Sequence, residues 1–239
     1  MVKALILAAG LGSRLAPITD NYPKCMTEVV DGITIIEQQI RSLLKNNIKD
    51  ILVIVGYKSD ILIPYLRRIY KDIKIIENKN YKNTNNMYSA YLGYKNLKDS
   101  DFIMMNADVF FDRETLKSLI DDINDDAIVT DIGTWNEESM KVVELNGKLV
   151  SISKQIDEKE ALGCSIDVYK FSKVSGNKFF EQCNYYIHNK GELKLWSEVA
   201  LNDILKDCNF KASELNGRWY EIDTHEDLVK ARELFNKIE

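Results

Sequence analysis

Short apolar runs alternate with helix-like patterns through the first half of the chain, and this alternation limits the fold more than any other feature. The first run, Lys3–Ala8, is apolar almost throughout and is followed by Gly10, which predicts a strand buried on both faces. Strands are predicted over 3–8, 51–55, 73–77 and 102–107, and helices over 36–44, 59–70, 86–97 and 113–124. This order predicts an α/β fold whose mostly parallel central sheet has helices on both faces.

The pattern changes in the second half of the chain. Asn146-Gly147 joins two alternating segments and is a strong signal for a tight β-hairpin. Thr224 precedes the last helical segment, and Asp227 follows three residues later as in a capping box. The other predicted elements are strands over 141–145, 148–153, 165–171, 210–214 and 219–222, and helices over 174–188 and 198–207. No linker or repeat divides the sequence, so we expect a single domain over residues 1–239.

The charge balance and the cysteine pattern exclude several classes of partner. The chain has 32 Lys and Arg against 37 Asp and Glu, a formal net charge of −5, whereas proteins that bind nucleic acid or anionic membranes need a basic surface. No apolar run approaches the ~20 residues of a membrane span, and no basic segment precedes the first run as in a signal peptide. Four cysteines without metal-like spacing suit a reducing compartment. We therefore expect a cytoplasmic protein with no nucleic-acid and no membrane partner, of undetermined oligomeric state.

A glycine-bearing loop follows the first predicted strand. Positions 7 to 15 have the sequence Leu-Ala-Ala-Gly-Leu-Gly-Ser-Arg-Leu, and backbone N–H groups at such a strand end bind phosphates. Leu15 stands where a dinucleotide motif needs its third glycine, and no Gly-Lys-Ser/Thr follows as in a Walker loop. Arg14 and the later Pro23-Lys24 add two cations. This set favours a triphosphate site over a plain strand-to-helix turn that carries a surface arginine.

A carboxylate follows the fourth predicted strand. Asp108 comes directly after the apolar run 102–107, which places it at the same sheet edge as the glycine loop. Mg²⁺ prefers oxygen ligands from one or two carboxylates, phosphates and water. Asp108 is therefore a candidate metal ligand, and the alternative is a helix cap or an ordinary loop charge.

The motifs together resemble one family over nearly the whole chain. They are Leu-Ala-Ala-Gly-x-Gly-x-Arg, Pro23-Lys24, Asn85-Asn86-x-Tyr88-Ser89, Ala107-Asp108 and Tyr220-Glu221-Ile222-Asp223-Thr224. This set is similar to the nucleotidylyltransferases that make NDP-sugars, and most similar to small cytidylyltransferases of the CTP:phosphocholine and CTP:phosphoglutamine type. The resemblance implies a Rossmann-like three-layer α/β/α nucleotidyltransferase fold with a small acceptor region that contains the β-hairpin. It also implies a nucleotide-binding half over about 1–125 and an acceptor- and metal-binding half over about 126–239.

The resemblance also implies roles for the matched residues. Mg²⁺ is expected on Asp108 and Asp223, with Asp112 and Glu221 as neighbours that have no direct role. The residues expected to bind the nucleotide are Leu7, Ala8, Ala9, Gly10, Gly12, Arg14, Asn83, Asn85, Asn86, Ser89 and Ala107. The residues expected to act in catalysis are Arg14 on the β- and γ-phosphates, Lys24 on the reacting phosphates and Lys154 on the acceptor phosphate. The asparagines, which lie just before a predicted helix, also suit a cap and turn.

The acceptor end is less constrained by the sequence. A cationic head-group is usually held by aromatic faces and a carboxylate. The candidates for the acceptor site are Trp135, Lys154, Asp167, Tyr186, Trp196 and Glu198. Trp135 is the preferred aromatic residue, because Tyr186 and Trp196 also suit core or rim positions of helices. The segment 163–167 reads Gly-Cys-Ser-Ile-Asp where many sugar-type relatives have Gly-Glu-x-x-Gly, which argues against a common hexose phosphate.

The expected function is therefore that of a Mg²⁺-dependent cytidylyltransferase. It would transfer CMP from CTP to a small phosphorylated acceptor, such as phosphocholine or phosphoglutamine, and release pyrophosphate. Products of this kind usually feed the decoration of surface polysaccharides or lipids. Two alternatives stay open: a sugar-1-phosphate nucleotidylyltransferase that makes an NDP-sugar, and a non-catalytic nucleotide-binding regulator. The presence of Arg14, Lys24 and both aspartates argues against the regulator, because a sensor has no need of a metal pair.

Overall fold

The computed structural model describes residues 2–236, and its elements alternate through the first half as the sequence predicts. The strands are β1 Lys3–Ala8, β2 Glu28–Val30, β3 Ile33–Thr34, β4 Ile51–Val55, β5 Lys74–Glu77, β6 Phe102–Asn106, β7 Val109–Phe111, β8 Ala127–Ile132, β9 Lys141–Leu145, β10 Lys148–Ser153, β11 Gly163–Phe171, β12 Lys211–Glu214 and β13 Trp219–Glu221. The helices are α1 Ile18–Asn21, α2 Ile35–Lys45, α3 Ser59–Ile69, α4 Asn86–Leu92, α5 Tyr94–Leu97, α6 Arg113–Asp121, α7 Lys173–Asn184, α8 Ser197–Leu205 and α9 His225–Phe235. Residues 1 and 237–239 of the expected domain lie outside the described residues.

Most strands of the central sheet point the same way. The strand order is β10-β9-β11-β6-β1-β4-β5, and β8 pairs with both β11 and β12. The parallel pairs are β1 with β4 and β6, β4 with β5, and β8 with β12. β11 runs antiparallel to β6, β8 and β9, and β10 is antiparallel to β9. The expected mostly parallel sheet is confirmed, and β11 connects the strands of the two halves within it.

Helices cover both faces of this sheet. Alternate residues of β1 face opposite sides, so that Leu5 belongs to a buried cluster beneath α4, α7 and α8. Ile6 belongs to a second cluster, beneath α2, α3 and α6. A third, smaller cluster joins α9 to Phe110 and Ile222. The result is a three-layer α/β/α arrangement in which the ends of the strands stay accessible. Within residues 2–236 no helix combines the length and the apolar character that are needed to cross a membrane.

A separate two-stranded ribbon brings the C-terminal part of the chain to the end of β6. β13 pairs antiparallel with β7, with Glu221 opposite Val109, and the N–H of Ile222 donates to the carbonyl of Asp108 at 3.0 Å. Arg218 Nε donates to Asp112 Oδ2 at 2.9 Å beside this ribbon, across 106 residues of sequence. The sequence does not predict this pairing, because β7 has only three residues and its partner is distant in the chain.

Turn and capping motifs predict their elements correctly, whereas the predicted ends of two helices differ from those in the structure. The hairpin at Asn146-Gly147 and the capping box at Thr224 are confirmed. The helix predicted over 86–97 is divided at Gly93 into α4 and α5, since glycine is a poor helix former. The helix predicted over 174–188 ends at Asn184 and continues as a π turn. The sequence does not predict β8, because only residues 127–129 of this strand form an apolar run.

The packing of α7 against β6 gives a prediction about stability. A Cβ at Gly176 would come within 2.5 Å of Phe102 Cε1, and the Phe102 ring is fully buried against Phe171 at 4.8 Å between centroids. Gly176→Ala should therefore lower the free energy of unfolding by about 1–3 kcal/mol, despite the ~1 kcal/mol that alanine contributes to helix propensity.

Urea unfolding measures this change, and Val174→Ala is the matched control on the same helix. The Val174 residue is 65% exposed, so its truncation should change the free energy of unfolding by no more than about 0.5 kcal/mol. A Gly176→Ala protein as stable as the wild type would show that the Phe102 ring is not fixed as described.

Candidate active site

An open cavity of about 440 Å³ lies at the carboxyl edge of β1 and β6, where parallel α/β sheets commonly bind ligands. Most of the residues that the sequence singles out line it. These are Leu7, Ala8, Ala9, Gly10, Gly12, Arg14, Lys24, Asn85, Asn86, Ser89, Ala107, Asp108, Lys154, Asp167, Trp196, Glu198 and Asp223. The topology therefore brings the predicted nucleotide, metal and acceptor residues to one place.

The glycine loop after β1 packs closely against Lys24. Gly12 has a φ of 62°, a left-handed conformation that glycine adopts without strain. A Cβ at this position would come within 2.8 Å of Lys24 Cβ, so the close approach requires glycine. Thr19 Oγ1 fixes the loop by donating to the Gly12 carbonyl at 2.9 Å. At Gly10 a Cβ would have no heavy atom within 4 Å, which leaves open space above the loop for a ligand.

Lys24 lies between two carboxylates. Its Nζ donates to Asp108 Oδ2 at 2.9 Å and to Asp223 Oδ1 at 2.5 Å. Burial opposes a charge on Lys24, but Asp108 and Asp223 outweigh it and raise the lysine pKa above its ordinary value. Burial also opposes a charge on Asp223, yet Lys24 and Arg14, whose Nη2 lies 2.6 Å from Asp223 Oδ2, hold the pKa of this carboxyl below its ordinary value. Both groups are therefore charged at neutral pH.

Glu221 joins Asp108 and Asp223 in a cluster of three carboxyl groups. One oxygen of each lies within 4.8 Å of the others. Asp108 Oδ1 is buried and has no hydrogen-bond partner among the described residues. Burial, together with the nearby Asp108 and Asp167, raises the pKa of Glu221 to about 9. Glu221 therefore keeps its proton at neutral pH, and Lys24 and Arg14 balance the charges of the two aspartates.

Glu221, which is expected to have no direct role, lies in the same cluster as the two aspartates. In an extended segment, residues two apart point to the same side, so Glu221 and Asp223 face the end of β6 together. The two-residue spacing of Glu221 and Asp223 is visible in the sequence. That both side chains face Asp108 follows only from the β7–β13 pairing, which the sequence does not predict. Asp112 is instead held by Arg218 at 2.9 Å, outside the cavity lining, as expected of a neighbour.

A second pair of carboxyl groups, Asp167 and Glu198, lines another part of the cavity. The Tyr169 hydroxyl lies behind them, 2.8 Å from Asp167 Oδ1 and 2.9 Å from Glu198 Oε1. Asn106 donates to Asp167 Oδ2 at 2.9 Å, whereas Glu198 Oε2 is buried without a hydrogen-bond partner in residues 2–236. Burial, and then the neighbouring Glu198, raises the pKa of Asp167 to about 7. Burial likewise raises the pKa of Glu198 above its ordinary value.

An irregularity in β11 places Asp167 in the cavity. The pairing of β11 with β8 shifts register between Ser165 and Tyr169, and Asp167 has a φ of 60°. Aspartate tolerates this left-handed conformation better than most residues, and Ser165 Oγ accepts the Asp167 N–H at 3.0 Å. The alternating pattern of 165–171 predicted a regular strand, and alternation alone does not reveal such a bulge.

Lys154 and Trp196 meet at the rim of the cavity. Lys154 Nζ lies 5.1 Å from the centroid of the Trp196 ring and 3.2 Å from Glu138 Oε2. The Trp196 residue is 46% exposed, so one part of it faces solvent while another lines the cavity. The two residues that were expected at the acceptor end are thus brought into direct contact.

Asn85 and Asn86 connect the start of α4 to the segment that carries Trp196. The N–H of Asn85 donates to the carbonyl of Leu193 at 3.0 Å, and Asn86 Oδ1 accepts the N–H of Ser197 at 2.8 Å. Both asparagines line the cavity, but these bonds also give them a positioning role for the acceptor end. The sequence does not indicate this role, because the partners are more than one hundred residues away, 111 for Asn86 and Ser197.

Two predicted site residues, and the candidate Tyr186, do not line the cavity. Asn83 donates to Asn80 Oδ1 at 2.9 Å within its own turn, as the cap-and-turn alternative predicts. Trp135 follows Gly133, which turns the chain with a φ of 76°, so that residues 138–140 and not Trp135 reach the lining. The Tyr186 hydroxyl donates to Asp203 Oδ2 at 2.7 Å instead.

Comparisons with known proteins agree with this geometry. A family model described as nucleotidyl transferase matches residues 3–237. The CTP:phosphoglutamine cytidylyltransferase of Campylobacter jejuni is 29% identical over 249 residues, which cover 95% of this chain and 98% of that protein. The bifunctional protein GlmU of Methanococcus aeolicus is 29% identical over 231 residues, 96% of this chain and 53% of that protein. The chain thus spans about half the length of this relative.

A solved structure shows the same architecture. The CTP:phosphocholine cytidylyltransferase of Streptococcus pneumoniae superimposes with a TM-score of 0.79 at 27% sequence identity, covering 97% of this chain and 98% of that one. The similarity extends over nearly the full length of both chains. It confirms the Rossmann-like nucleotidyltransferase fold expected from the sequence.

The Asp167–Glu198 pair gives a prediction about stability and pH. The ordinary pKa values of the two groups in an unfolded chain are about 3.9 and 4.3, whereas that of Asp167 in the fold is about 7. Between about pH 4 and pH 7, the folded protein therefore keeps a proton that the unfolded chain has released. This contribution to stability is complete below about pH 4 and is lost as the pH rises through about 7.

Asp167→Asn should remove the part of the pH dependence of stability that the Asp167 carboxyl group causes. Between pH 4.5 and 7, in buffer without divalent metal, its free energy of unfolding should rise relative to the wild type by up to ~1.4 kcal/mol per pH unit, the value for one proton. Urea unfolding at several pH values measures the difference, and the exposed Asp125→Asn is the control that should follow the wild-type slope. Parallel curves for all three proteins would contradict the raised pKa.

Proposed function

The chain belongs to the nucleotidyl transferase family, and we propose that it is a cytidylyltransferase that transfers CMP from CTP to a small phosphorylated acceptor and releases pyrophosphate. The observation that carries the proposal is the arrangement of the cavity, in which a glycine loop and two cations face a cluster of three carboxyl groups. The Campylobacter jejuni relative, which has nearly the same length, supports CTP as the donor. Phosphocholine, phosphoglutamine or a similar compound would be the acceptor.

The reaction forms one bond and breaks one. An acceptor phosphate oxygen attacks the α-phosphorus of CTP, the bond from that phosphorus to the oxygen that bridges to the β-phosphorus breaks, and its electron pair leaves with pyrophosphate. A phosphate monoester has a second pKa of about 6, so the nucleophile is already an anion at neutral pH. A general base is therefore unnecessary, and neither of the two histidines lines the cavity.

The protein must position two anionic reactants and offset their repulsion. The open space above Gly10, with the loop N–H groups around it, suits the triphosphate. Arg14 would bind the β- and γ-phosphates and Lys24 the reacting phosphates, while Lys154 at the rim would bind the acceptor phosphate. The backbone of 7–9 with Asn85, Asn86 and Ser89 would face the base, since cytosine presents an amino group and ring acceptors that amides and backbone carbonyls can match.

The carboxylate cluster fits Mg²⁺. Asp108 Oδ1 is a buried oxygen without a partner in the described part of the chain, and the donor set consists of hard oxygen ligands. We assign Asp108 and Asp223 as metal ligands, with Glu221 beside them. When bound, Mg²⁺ would neutralise phosphate charge during the transfer. We further propose that the enzyme works in the cytoplasm, where CTP is available, and that its product feeds the decoration of surface polysaccharides or lipids.

Removal of one carboxylate charge from the cluster should abolish most of the activity. Asp108→Asn and Asp223→Asn should each fold but lose activity by on the order of 100-fold or more, because even outer-shell changes at metal sites cost about 10–100-fold. Pyrophosphate release is measured at saturating CTP over a series of Mg²⁺ concentrations. The control is Asp20→Asn, an exposed aspartate near the glycine loop. Wild-type rates for either variant at low Mg²⁺ would exclude the metal assignment.

A screen of nucleotides against acceptors tests the proposed reaction. CTP, UTP, GTP and dTTP are each combined with phosphocholine, phosphoglutamine and glucose 1-phosphate, and pyrophosphate release is followed. With CTP, the better nitrogen-bearing acceptor should exceed glucose 1-phosphate in kcat/KM by at least about tenfold, which corresponds to ~1.4 kcal/mol. The reason is that a hexose needs hydroxyl partners, whereas this acceptor end is built around carboxyl groups.

Two tryptophan variants locate the acceptor end in the same assay. Trp196→Ala should raise the acceptor KM and leave the KM for CTP nearly unchanged, because Trp196 contacts Lys154 at the rim. Trp135→Ala is the matched comparison, since Trp135 lies outside the lining. A better rate with glucose 1-phosphate would favour the NDP-sugar reaction, and an effect at Trp135 but not at Trp196 would move the acceptor end to the loop after β8.

A further inference from the structure

The acceptor end contains negative charge that no cation of the described chain balances. Six carboxyl groups of the described residues line the cavity, and three of them form the cluster near Lys24 and Arg14. Glu138 is paired with Lys154 at 3.2 Å. Asp167 and Glu198 are the remaining two, and within residues 2–236 neither has an ion-pair partner. Only a retained proton offsets their charge, so a ligand that brings positive charge fits beside them.

The hydrogen bonds of this pair show which kind of positive group fits. Tyr169 has one hydroxyl proton for contacts to both carboxyl groups, so it can donate to only one at a time. Ser197 Oγ lies 3.1 Å from Glu198 Oε1, while Oε2 of the same residue has no hydrogen-bond partner in the described structure. The Asn86 side chain opposes the rise of the Glu198 pKa as a weak hydrogen-bonding partner, but no described group lies in hydrogen-bond geometry with Oε2. Glu198 is 3% exposed, and such a buried acceptor is costly to leave unpaired.

The aromatic side chains of the cavity are not arranged to hold a cation without N–H groups. Three aromatic residues of the described chain line it, Tyr81, Trp196 and Trp219. Trp196 already has the Lys154 ammonium 5.1 Å from its ring centroid. Trp219 donates its Nε1–H to Asp131 at 2.8 Å, and Tyr81 packs edge-on against Tyr57 at 6.2 Å between centroids. A quaternary ammonium group is usually held by several free aromatic faces, and this cavity does not provide them.

We propose that Asp167 and Glu198 form the nitrogen subsite of the acceptor and that this subsite requires an ammonium group with at least one N–H, which donates to Glu198 Oε2. This inference rests on the proposed function, since it takes the phosphate of the same acceptor to lie at Lys154. It narrows the acceptor to phosphate esters that carry a protonated amine, including amino-acid derivatives. A trimethylammonium group has the charge but no donor, so it leaves Glu198 Oε2 unpaired.

A graded series of substrates tests the requirement for N–H. The phosphate esters of 2-aminoethanol and of its N-methyl, N,N-dimethyl and N,N,N-trimethyl forms share one phosphate and one linker, and their ammonium groups carry three, two, one and no N–H. With CTP, kcat/KM should fall by at least about tenfold, ~1.4 kcal/mol, at the last methylation and by less at the earlier ones. An equal or higher kcat/KM for the trimethyl ester would overturn the inference and leave the cytidylyltransferase proposal intact.

Glu198→Gln tests whether Glu198 is the residue that causes the requirement for an N–H group. The amide keeps the size of the side chain and removes its charge, so the kcat/KM for the primary amine should fall by at least about tenfold. That for the trimethyl ester, which loses a charge contact but no hydrogen bond, should fall by clearly less. The KM for CTP should not change. The matched control is Glu192→Gln, an exposed glutamate of the neighbouring segment, which should keep the wild-type preference. If Glu198→Gln alters the Mg²⁺ requirement and not the preference among the esters, the subsite binds a metal and the inference is wrong.

Direct binding separates failure of this inference from failure of the proposed function. Calorimetric titration of the esters into the protein saturated with α,β-methylene CTP, which cannot release pyrophosphate, measures acceptor affinity without turnover. Preference for N–H-bearing esters in binding, with no turnover of any ester, would refute the proposed reaction and keep the nitrogen subsite. If the protein shows no turnover and no N–H-dependent binding, both the proposed reaction and the nitrogen subsite are refuted.

Discussion

The charge cluster around Lys24 is the interaction on which the rest of the site depends. Asp108, Glu221 and Asp223 lie together in a partly buried position, where carboxylates are costly unless they are paired. The ammonium of Lys24 pairs with Asp108 and Asp223, and Arg14 also pairs with Asp223. Burial, and then the nearby carboxylates, raise the pKa of Glu221 to about 9. With a proton on Glu221, the metal-free cluster is therefore neutral, and a divalent cation bound there would take the place of that proton.

The distribution of charge divides the cavity into two ends. Phosphates bring negative charge to a lining that already carries more carboxyl groups than cations, so they must be bound where positive charge is concentrated, at Arg14, Lys24, Lys154 and the metal cluster. The end formed by Asp167 and Glu198 repels phosphate for the same reason. An acceptor with a phosphate at one end and a cationic nitrogen at the other matches both, whereas a second phosphate or a neutral sugar matches only one.

The sequence predicts what depends on neighbours in the chain and misses what depends on distant pairing. Lys3–Ala8 and the run before Asp108 predict two parallel strand ends, and these carry the glycine loop and Asp108 to one edge. The hairpin and the Thr224 cap are local and are predicted as well. Glu221 depends on the β7–β13 ribbon, and Asp167 depends on a bulge that alternation does not show. That Trp196 and not Trp135 lines the cavity depends on the path of loops whose neighbours are distant in the sequence.

The acceptor end is supported separately from the charge cluster, and this separation explains how one chemistry can serve different acceptors. The ribbon of β7 and β13 holds the cluster, whereas Glu198 lies in the first turn of α8, with the preceding Ser197 fully buried. The bond between Asn86 and Ser197 connects that turn to the edge of the nucleotide site. Substitutions in residues 193–198 can therefore change the partners offered to an acceptor while Lys24, Asp108 and Asp223 keep their contacts. Under the proposed function, the start of α8 and the bulge of β11 would set the identity of the acceptor, and the ends of β1, β6 and β13 would carry out the transfer.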